Sequence, residues 1–446
     1  MSAPDIGDRT PSAAITTLGC KLNQYESEQL RQRLQDAGYT IVDFDDRADV
    51  YIVNSCTVTA KTDRDARRLA RQAKRRNPAA LVVVTGCYAE CSPQALASMP
   101  EVDMVVGNKD KLTIPEALPA SKALARPAAG HSDDLIDEFT RHTRCFVKVQ
   151  EGCNASCTYC IIPRARGSSR SVPGDKVLRQ AQQLAAHGYP EVVLIGTHLG
   201  QYGLDLVPPA SLSSLIIQIC SLPEVKRLRL SSIEPREVSA DIVALIQKGG
   251  RACAAASSPG VGKLCRHLHI PVQSGCDTVL SRMGRPYDVS FYRQLVERII
   301  HAQPQTCLGT DVMVGFPGET AEEFDCTYAL LEGLPLAYLH VFSYSPRPGT
   351  PAASMPDQVS PEVKRSRSHS LRELSDRKRA AFAESMVGHT VEVVVQGVTP
   401  EGELTGLTDN YLTLTTEGSC SLLRRIVTCE ILAAMDGTLR GRPIAP

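Results

Sequence analysis

Three closely spaced cysteines carry the strongest chemical signal in the chain. Cys153, Cys157 and Cys160 stand at spacing C-x3-C-x2-C within residues 151–167, EGCNASCTYCIIPRARG. Thiolates are soft ligands that suit iron–sulfur clusters and zinc. Three of them on one loop can hold three corners of a cubane cluster. The fourth iron is then left open, as a catalytic metal centre requires. With 16 cysteines in 446 residues, composition alone gives this spacing about 0.02 times per chain. The competing readings are unrelated buried cysteines, or a zinc loop completed by a distant fourth ligand.

A second trio emerges from the elements that must position it. Residues 13–18, 50–54 and 81–85 read as short buried strands, alternating with helices over 24–37 and 62–76. That alternation predicts a small parallel α/β sheet. Cys20, Cys56 and Cys87 each follow the carboxyl end of one of these strands. In open parallel sheets those ends share one edge, where ligands collect. Three convergent thiolates there would hold a second cluster, again with one free iron. The competing reading is three small buried hydrophobes. Cys91 falls at the start of the next predicted helix and reads as structural.

Further along, residues 144–150, 191–195, 226–230, 267–272, 308–314 and 337–342 read as strands alternating with helices. Gly and polar residues follow each strand. This predicts a full or partial β/α barrel with its site on the C-terminal rim. Residues 390–396, 403–407, 411–415 and 421–431 alternate apolar and polar residues and predict a small all-β barrel. The expected division is 13–112 for the first domain, 113–143 for an Ala/Pro-rich linker, 144–384 for the core and 385–446 for the last barrel. Residues 1–12 read as a disordered lead, and 249–262 as an inserted surface loop. His198, His267 and His269 read as packed strand or loop histidines, and no metal is assigned to them.

Charge is balanced, with 49 basic and 49 acidic residues, so any nucleic-acid site must be a local patch. Residues 61–76 and 361–386 are dense in Lys and Arg, and the first reads either as a solvated face or as a phosphate-binding stripe. The absence of Trp argues against a wide base-stacking platform. The start of the chain lacks the basic-then-apolar pattern of a secretory signal, and no run is long enough to span a bilayer. A cytoplasmic protein is expected, with no membrane partner, whose cysteines serve metal chemistry rather than disulfides.

The triple-cysteine loop, with Tyr159 before its last Cys, resembles the signature of the radical S-adenosylmethionine enzymes. Residues 17–26 (TLGCKLNQYE), 54–59 (NSCTVT) and 85–89 (TGCYA) resemble the N-terminal domain of the methylthiotransferases. Residues 404–412 (LTGLTDNYL) resemble that family's RNA-binding TRAM domain. The resemblance runs from about residue 13 to the end. The opening Gly-Cys-Lys-Leu-Asn-Gln is similar to the branch acting on threonylcarbamoyladenosine in tRNA. The isopentenyladenosine branch usually has Gly-Cys-Gln-Met-Asn, and the branch acting on a ribosomal protein Gly-Cys-Pro-Lys-Asn. Two departures stand out. Cys265-Arg266-His267 replaces the usual Cys-Pro-His after a longer 249–262 segment, and Thr197 stands where Val is common.

The resemblance implies two 4Fe-4S clusters, S-adenosylmethionine, and tRNA bound at its anticodon loop. An electron donor and a sulfur source, both of unknown identity, are implied as well. It implies that Cys153, Cys157 and Cys160 hold the cluster that splits S-adenosylmethionine, and that Cys20, Cys56 and Cys87 hold the auxiliary one. A 5′-deoxyadenosyl radical would take the C2 hydrogen of the base, and a methylated sulfur would replace it. Tyr159, Gly196, Ser232, Glu234, Gln273 and Asp311 are candidates for the S-adenosylmethionine pocket. The alternatives are action on isopentenyladenosine, a ribosomal-protein substrate, or a non-catalytic iron–sulfur or zinc RNA-binding protein.

Overall fold

A computed structural model describes residues 10–118, 135–140, 142–249 and 262–444. The first unit is a five-stranded parallel sheet of order β2-β1-β3-β4-β5. Its strands are β1 Ser12–Thr17, β2 Thr40–Val42, β3 Val50–Ser55, β4 Leu81–Gly86 and β5 Met104–Val106. Every residue of β3 is buried, as expected of a central parallel strand covered on both faces. The helices α1 (Lys21–Asp36) and α2 (Ala60–Arg76) begin two or three residues earlier than the periodicity predicts. Thr59 and Thr62 form a capping box that starts α2, and Ala66, Ala70 and Ala73 give its buried face.

The core carries two three-stranded parallel sheets. One holds Cys145–Lys148, Val192–Ile195 and Leu228–Leu230; the other holds His267–His269, Cys307–Val314 and Tyr338–Ser343. A parallel bridge from Leu228 to Leu264 and a bond from Ile233 N–H to His269 C=O (3.0 Å) join them. The result is a six-stranded partial barrel with helices packed outside. Gly309 is required inside it: a Cβ there would lie 2.0 Å from the Tyr338 ring.

The last unit is a closed five-stranded antiparallel-rich barrel. Its fifth strand, Thr438–Pro443, escaped the sequence reading because Gly441 and Pro443 read as turn residues. Residues 421 and 422, expected at the start of a strand, belong to a 3-10 turn, Cys420–Leu422, and the strand begins at Ile426. The helix Pro361–Glu384 leads into this barrel.

Buried charge docks the barrel onto the core. Glu191 is wholly buried and pairs with Arg227 and Arg229. Those guanidiniums also donate to the carbonyls of Glu392, Leu407, Thr408 and Asp409 at 2.9–3.1 Å. Arg266, the residue in place of the usual Pro, pairs with the Asp409 carboxylate at 2.6 Å. That departure therefore has a structural role.

The expected linker is partly anchored. Its start folds into short helical turns, and Ile136 and Phe139 are buried in the core cluster. Residues 119–134 and 141 lie outside the described residues, as do 250–261 of the expected surface loop and 1–9 of the lead. Among the described residues, no helix is long and apolar enough to cross a membrane.

Candidate active site

The first cysteine trio sits on one sheet edge. β1 pairs Thr17 with Asn54, and β4 pairs Gly86 with Ser55. Cys20, Cys56 and Cys87 thus follow three adjacent strand ends. Gly19 makes the close approach feasible. It has φ of +98°, and a Cβ there would lie 2.5 Å from Cys56 Cβ. Burial pushes the Cys56 thiol up to about 11, with Cys87 and Cys20 adding to the effect. Burial raises Cys87 as well.

The second trio is held by the barrel. Thr158 N–H donates to Met283 C=O (3.0 Å) and Cys153 N–H to Gly167 C=O (3.0 Å). Arg285 donates to Cys157 Sγ (3.3 Å) and pairs with Glu234. His198 Nδ1 lies 3.2 Å from Cys153 Sγ, and its Nε2 lies 2.6 Å from Glu237. Burial pushes the Cys160 thiol up to about 12, with Cys157 and Cys153 adding repulsion.

These donor sets fit iron–sulfur groups. Each trio brings three sulfurs into electrostatic reach of one another, and burial makes the Cys56, Cys87 and Cys160 thiols resist ionisation. A metal's positive charge is what would hold them as thiolates.

The two trios are neighbours. Cys87 and Cys91 pack in one apolar cluster with Ile161 and Ala165 of the short helix after the triple-cysteine loop. Cys91 ends the helix Cys87–Cys91 rather than starting the next one. Asn108 Nδ2 donates to Ala165 C=O (2.6 Å) and lies 3.8 Å from Cys87 Sγ. Beneath this contact is a buried ionic knot. Arg166 pairs with Glu26 (2.7 Å) and Glu151 (3.0 Å), and donates to Asn23 Oδ1 (2.5 Å). Lys111 takes the other Glu26 oxygen at 2.6 Å. Burial alone would raise the Glu26 carboxyl, but Lys111 and Arg166 hold it well below the usual carboxylate range. A second tie pins the loop after Cys56: Arg347 donates to Thr57 Oγ1 (2.7 Å) and pairs with Asp63 (2.5 Å).

A cavity of about 220 Å³ opens where the units meet. Val58 and Thr59 line it from the first unit, Tyr159 and Cys160 from the triple-cysteine loop, and Gln273 and Asp311 from the barrel rim. Gln273 has φ of +69°, an uncommon conformation for a non-glycine residue, and its backbone pairs with Asp311 and Met313. Of the other sequence candidates, Glu234 sits behind Arg285, and Gly196 lies against Gln150, which donates to Gly152 C=O at 2.7 Å. Ser232 is exposed on the rim. Sequence reasoning missed Arg285, His198, Asn108 and Arg166 as neighbours of the cysteines. Of these, Arg166 carries a visible signal, as one of three arginines, with Arg164 and Arg170, at the end of the triple-cysteine loop.

Of the basic residues in α2, several are already engaged. Arg67 donates to Tyr88 OH, Lys74 pairs with Asp103, Arg76 with Asp45, Arg68 with Asp65 and Arg71 with Glu101. Lys61, Arg64 and Arg75 remain exposed, with no ion pair among the described residues.

Family models match the three units in turn: the uncharacterized protein family UPF0004 over residues 12–107, the radical SAM superfamily over 147–331, and the TRAM domain over 384–444. The chain resembles the solved radical S-adenosylmethionine methyltransferase TsrM of Kitasatospora setae in fold, with a TM-score of 0.56 at 16% identity over 77% of this chain and 75% of that one. It is 39% identical to the threonylcarbamoyladenosine tRNA methylthiotransferase MtaB of Bacillus subtilis, over 95% of this chain and 94% of the relative. It is 34% identical to the tRNA-2-methylthio-N(6)-dimethylallyladenosine synthase of Methylobacillus flagellatus, over 96% and 98%. The partial barrel with its triple-cysteine loop is that of a radical S-adenosylmethionine enzyme. The chain belongs to the methylthiotransferase family of these enzymes, in its MtaB-like branch.

The ionic knot makes a prediction. Glu26→Gln leaves Arg166 and Lys111 buried without their shared counter-charge, which should cost about 3–5 kcal/mol. The folded pKa of Glu26 lies below the unfolded value of about 4.3. Its contribution is therefore complete above that value and is lost as the pH falls. Melting temperature followed against pH should show a steep acid-side loss in the native protein and a shallower one in the variant. Parallel curves would contradict the assignment.

Proposed function

We propose that this protein installs a methylthio group at C2 of threonylcarbamoyladenosine next to the anticodon of tRNA. Cys153, Cys157 and Cys160 would hold one 4Fe-4S cluster, and Cys20, Cys56 and Cys87 a second. The observation that carries this reading is the cavity bordered by Cys160 and by the loop two residues past Cys56. A substrate base seated there would lie beside Cys160 and beside the loop that follows Cys56. The target carbon has no leaving group and is not acidic, so acid–base side chains cannot activate it. When bound, the clusters and S-adenosylmethionine supply the radical and the methylated sulfur; an outside electron donor and sulfur source are still needed.

The chain's own residues orient and shield. Arg285 bridges Cys157 and Glu234, fixing the loop against the barrel rim. Tyr159 and Phe316 close the base of the loop with apolar rings at right angles. Arg347 and Ser345 hold the start of α2 and the loop before it against the barrel. The division of labour follows the units: 13–112 for the auxiliary cluster, 144–384 for radical generation and 385–446 for RNA. MtaB of Bacillus subtilis acts on threonylcarbamoyladenosine by its name, and the Gly-Cys-Lys-Leu-Asn-Gln opening agrees with that substrate. The dimethylallyladenosine relative supports isopentenyladenosine as the second reading.

Expression in a host lacking its own methylthiotransferases, followed by mass spectrometry of tRNA nucleosides, tests the assignment. Methylthio-threonylcarbamoyladenosine should appear with the native protein and vanish with Cys20→Ala, while that variant still cleaves S-adenosylmethionine. Methylthio-isopentenyladenosine instead would keep the chemistry and overturn the substrate.

Lys61 and Arg64 stand on the first turns of α2, directly behind Val58 and Thr59 at the cavity. They and Arg75 would contact the RNA backbone. Reversing all three to Glu should weaken tRNA binding and lower the slope of log affinity against log salt by about 2. An unchanged slope would return them to a solvated face.

A further inference from the structure

The inner face of the second barrel sheet carries a continuous column of rings. Strand alternation puts His267 and His269, then Asp311 and Met313, then Tyr338, His340 and Phe342 on that face. Its lower end is locked. His267 stacks on Tyr411 of the last barrel with ring centroids 4.1 Å apart. The Tyr338 hydroxyl lies between His267 Nε2 (2.9 Å) and His269 Nδ1 (3.1 Å). His269 donates from Nε2 to Asp311 at 2.8 Å, since a carboxylate only accepts.

Its upper end is open. His340 places Nδ1 3.4 Å from the same Asp311 oxygen, and its side chain is 52% exposed. Phe342, 47% exposed, lines the cavity with Val58, whose side chain is likewise exposed. Large apolar side chains left in water at a cavity mouth suggest a face covered by a ligand. Two further features give this one a chemistry. The hydrogen bonds from His269 and His340 overcome burial and keep Asp311 ionised. Asp311 thereby fixes the His340 ring, and Nε2 is the nitrogen left for a ligand.

We propose that Phe342 and His340 recognise the substrate nucleotide: Phe342 stacks on the adenine, and His340, as an imidazolium that donates Nδ1–H to Asp311, donates Nε2–H to the carboxylate of its N6 threonylcarbamoyl group. Phe342 and Val58 line the same cavity, from the barrel and from the first unit, so a base seated there would meet an aromatic ring and an aliphatic side chain. His340 lies one strand repeat deeper, with ring centroids 6.5 Å from Phe342, where a substituent on the base edge can reach it. Asp311 is a positioning residue in this arrangement. Its charge repels a carboxylate from its own oxygens, which favours contact at the imidazole edge remote from it. Discrimination of this kind is steep, because a site built around a polar contact loses it entirely with an apolar substituent.

This inference rests on the threonylcarbamoyladenosine reading. The test uses reconstituted full-length protein and two anticodon stem-loop RNAs, identical except for threonylcarbamoyladenosine or isopentenyladenosine at the target position. Iron content and melting temperature check that each variant is folded. His340→Ala should weaken binding of the threonylcarbamoyl RNA about 10- to 100-fold and leave the isopentenyl RNA unchanged. His340→Gln, which keeps an amide donor, should recover part of that loss. Phe342→Ala should weaken both RNAs about 5- to 100-fold, and Phe342→Trp should restore both. Equal effects of His340→Ala on the two RNAs, or none, would overturn the proposal while native turnover of the threonylcarbamoyl RNA still upheld the function. Absence of that turnover would overturn both. The ligand atoms of His269, Asp311 and His340 also lie within 4.8 Å of one another. Stoichiometric zinc in a protein lacking all six cluster cysteines, lost on His340→Ala, would equally overturn it in favour of a metal site.

Discussion

The buried carboxylate of Glu26 is the contact on which the site geometry depends. It belongs to α1, which begins at the residue after Cys20, and its two partners come from elsewhere. Arg166 ends the short helix that follows the triple-cysteine loop, and Lys111 follows the first sheet. One ionised group therefore ties the residue set around Cys20 to the one around Cys153. Charges this deeply buried persist only when paired. The pairing fixes how the first unit meets the barrel, and thereby which surfaces border the cavity between them. Asn23 and Asn54 fill the remaining polar valences, so the knot leaves little freedom for the two units to slide.

The same economy recurs at the opposite end of the barrel. Glu191 gathers Arg227 and Arg229, whose outer nitrogens then satisfy backbone carbonyls of the last barrel. The TRAM domain is thus docked through the strand bottoms of the core, away from the cavity. The ring column from Tyr411 through Tyr338 to Asp311 runs between these ends inside the barrel. Its packing gives the open upper rings a rigid base, which preorganises any contact they make.

Much of this was legible in the sequence, and for identifiable reasons. Buried parallel strands are short apolar runs, so the three strands preceding Cys20, Cys56 and Cys87 were visible, and sheet topology then required those cysteines to share an edge. The triple-cysteine loop announced itself by spacing. Long-range polar partners were not visible: nothing local to Arg285, 125 positions from Cys160 along the chain, marks it as a neighbour of Cys157. Arg166 could be seen as basic, but not as buried. Fully buried Arg227, Arg229 and Arg266 ran against the expectation that arginines face water. The basic stripe of α2 looked uniform in sequence, yet half of it is engaged with acidic or backbone groups of its own unit. The strand Thr438–Pro443 was hidden by its Gly and Pro.

The most direct test of the two-trio arrangement is electron paramagnetic resonance of the reduced, reconstituted protein. Centres held on Cys87 and Cys160 flank one apolar cluster and so should couple magnetically. The spectrum of the native protein is expected to differ from the sum of two variants, one lacking Cys20, Cys56 and Cys87 and the other lacking Cys153, Cys157 and Cys160. Coupling should disappear in each variant, with one cluster remaining. A native spectrum equal to the sum, or a native protein holding a single cluster, would contradict the account.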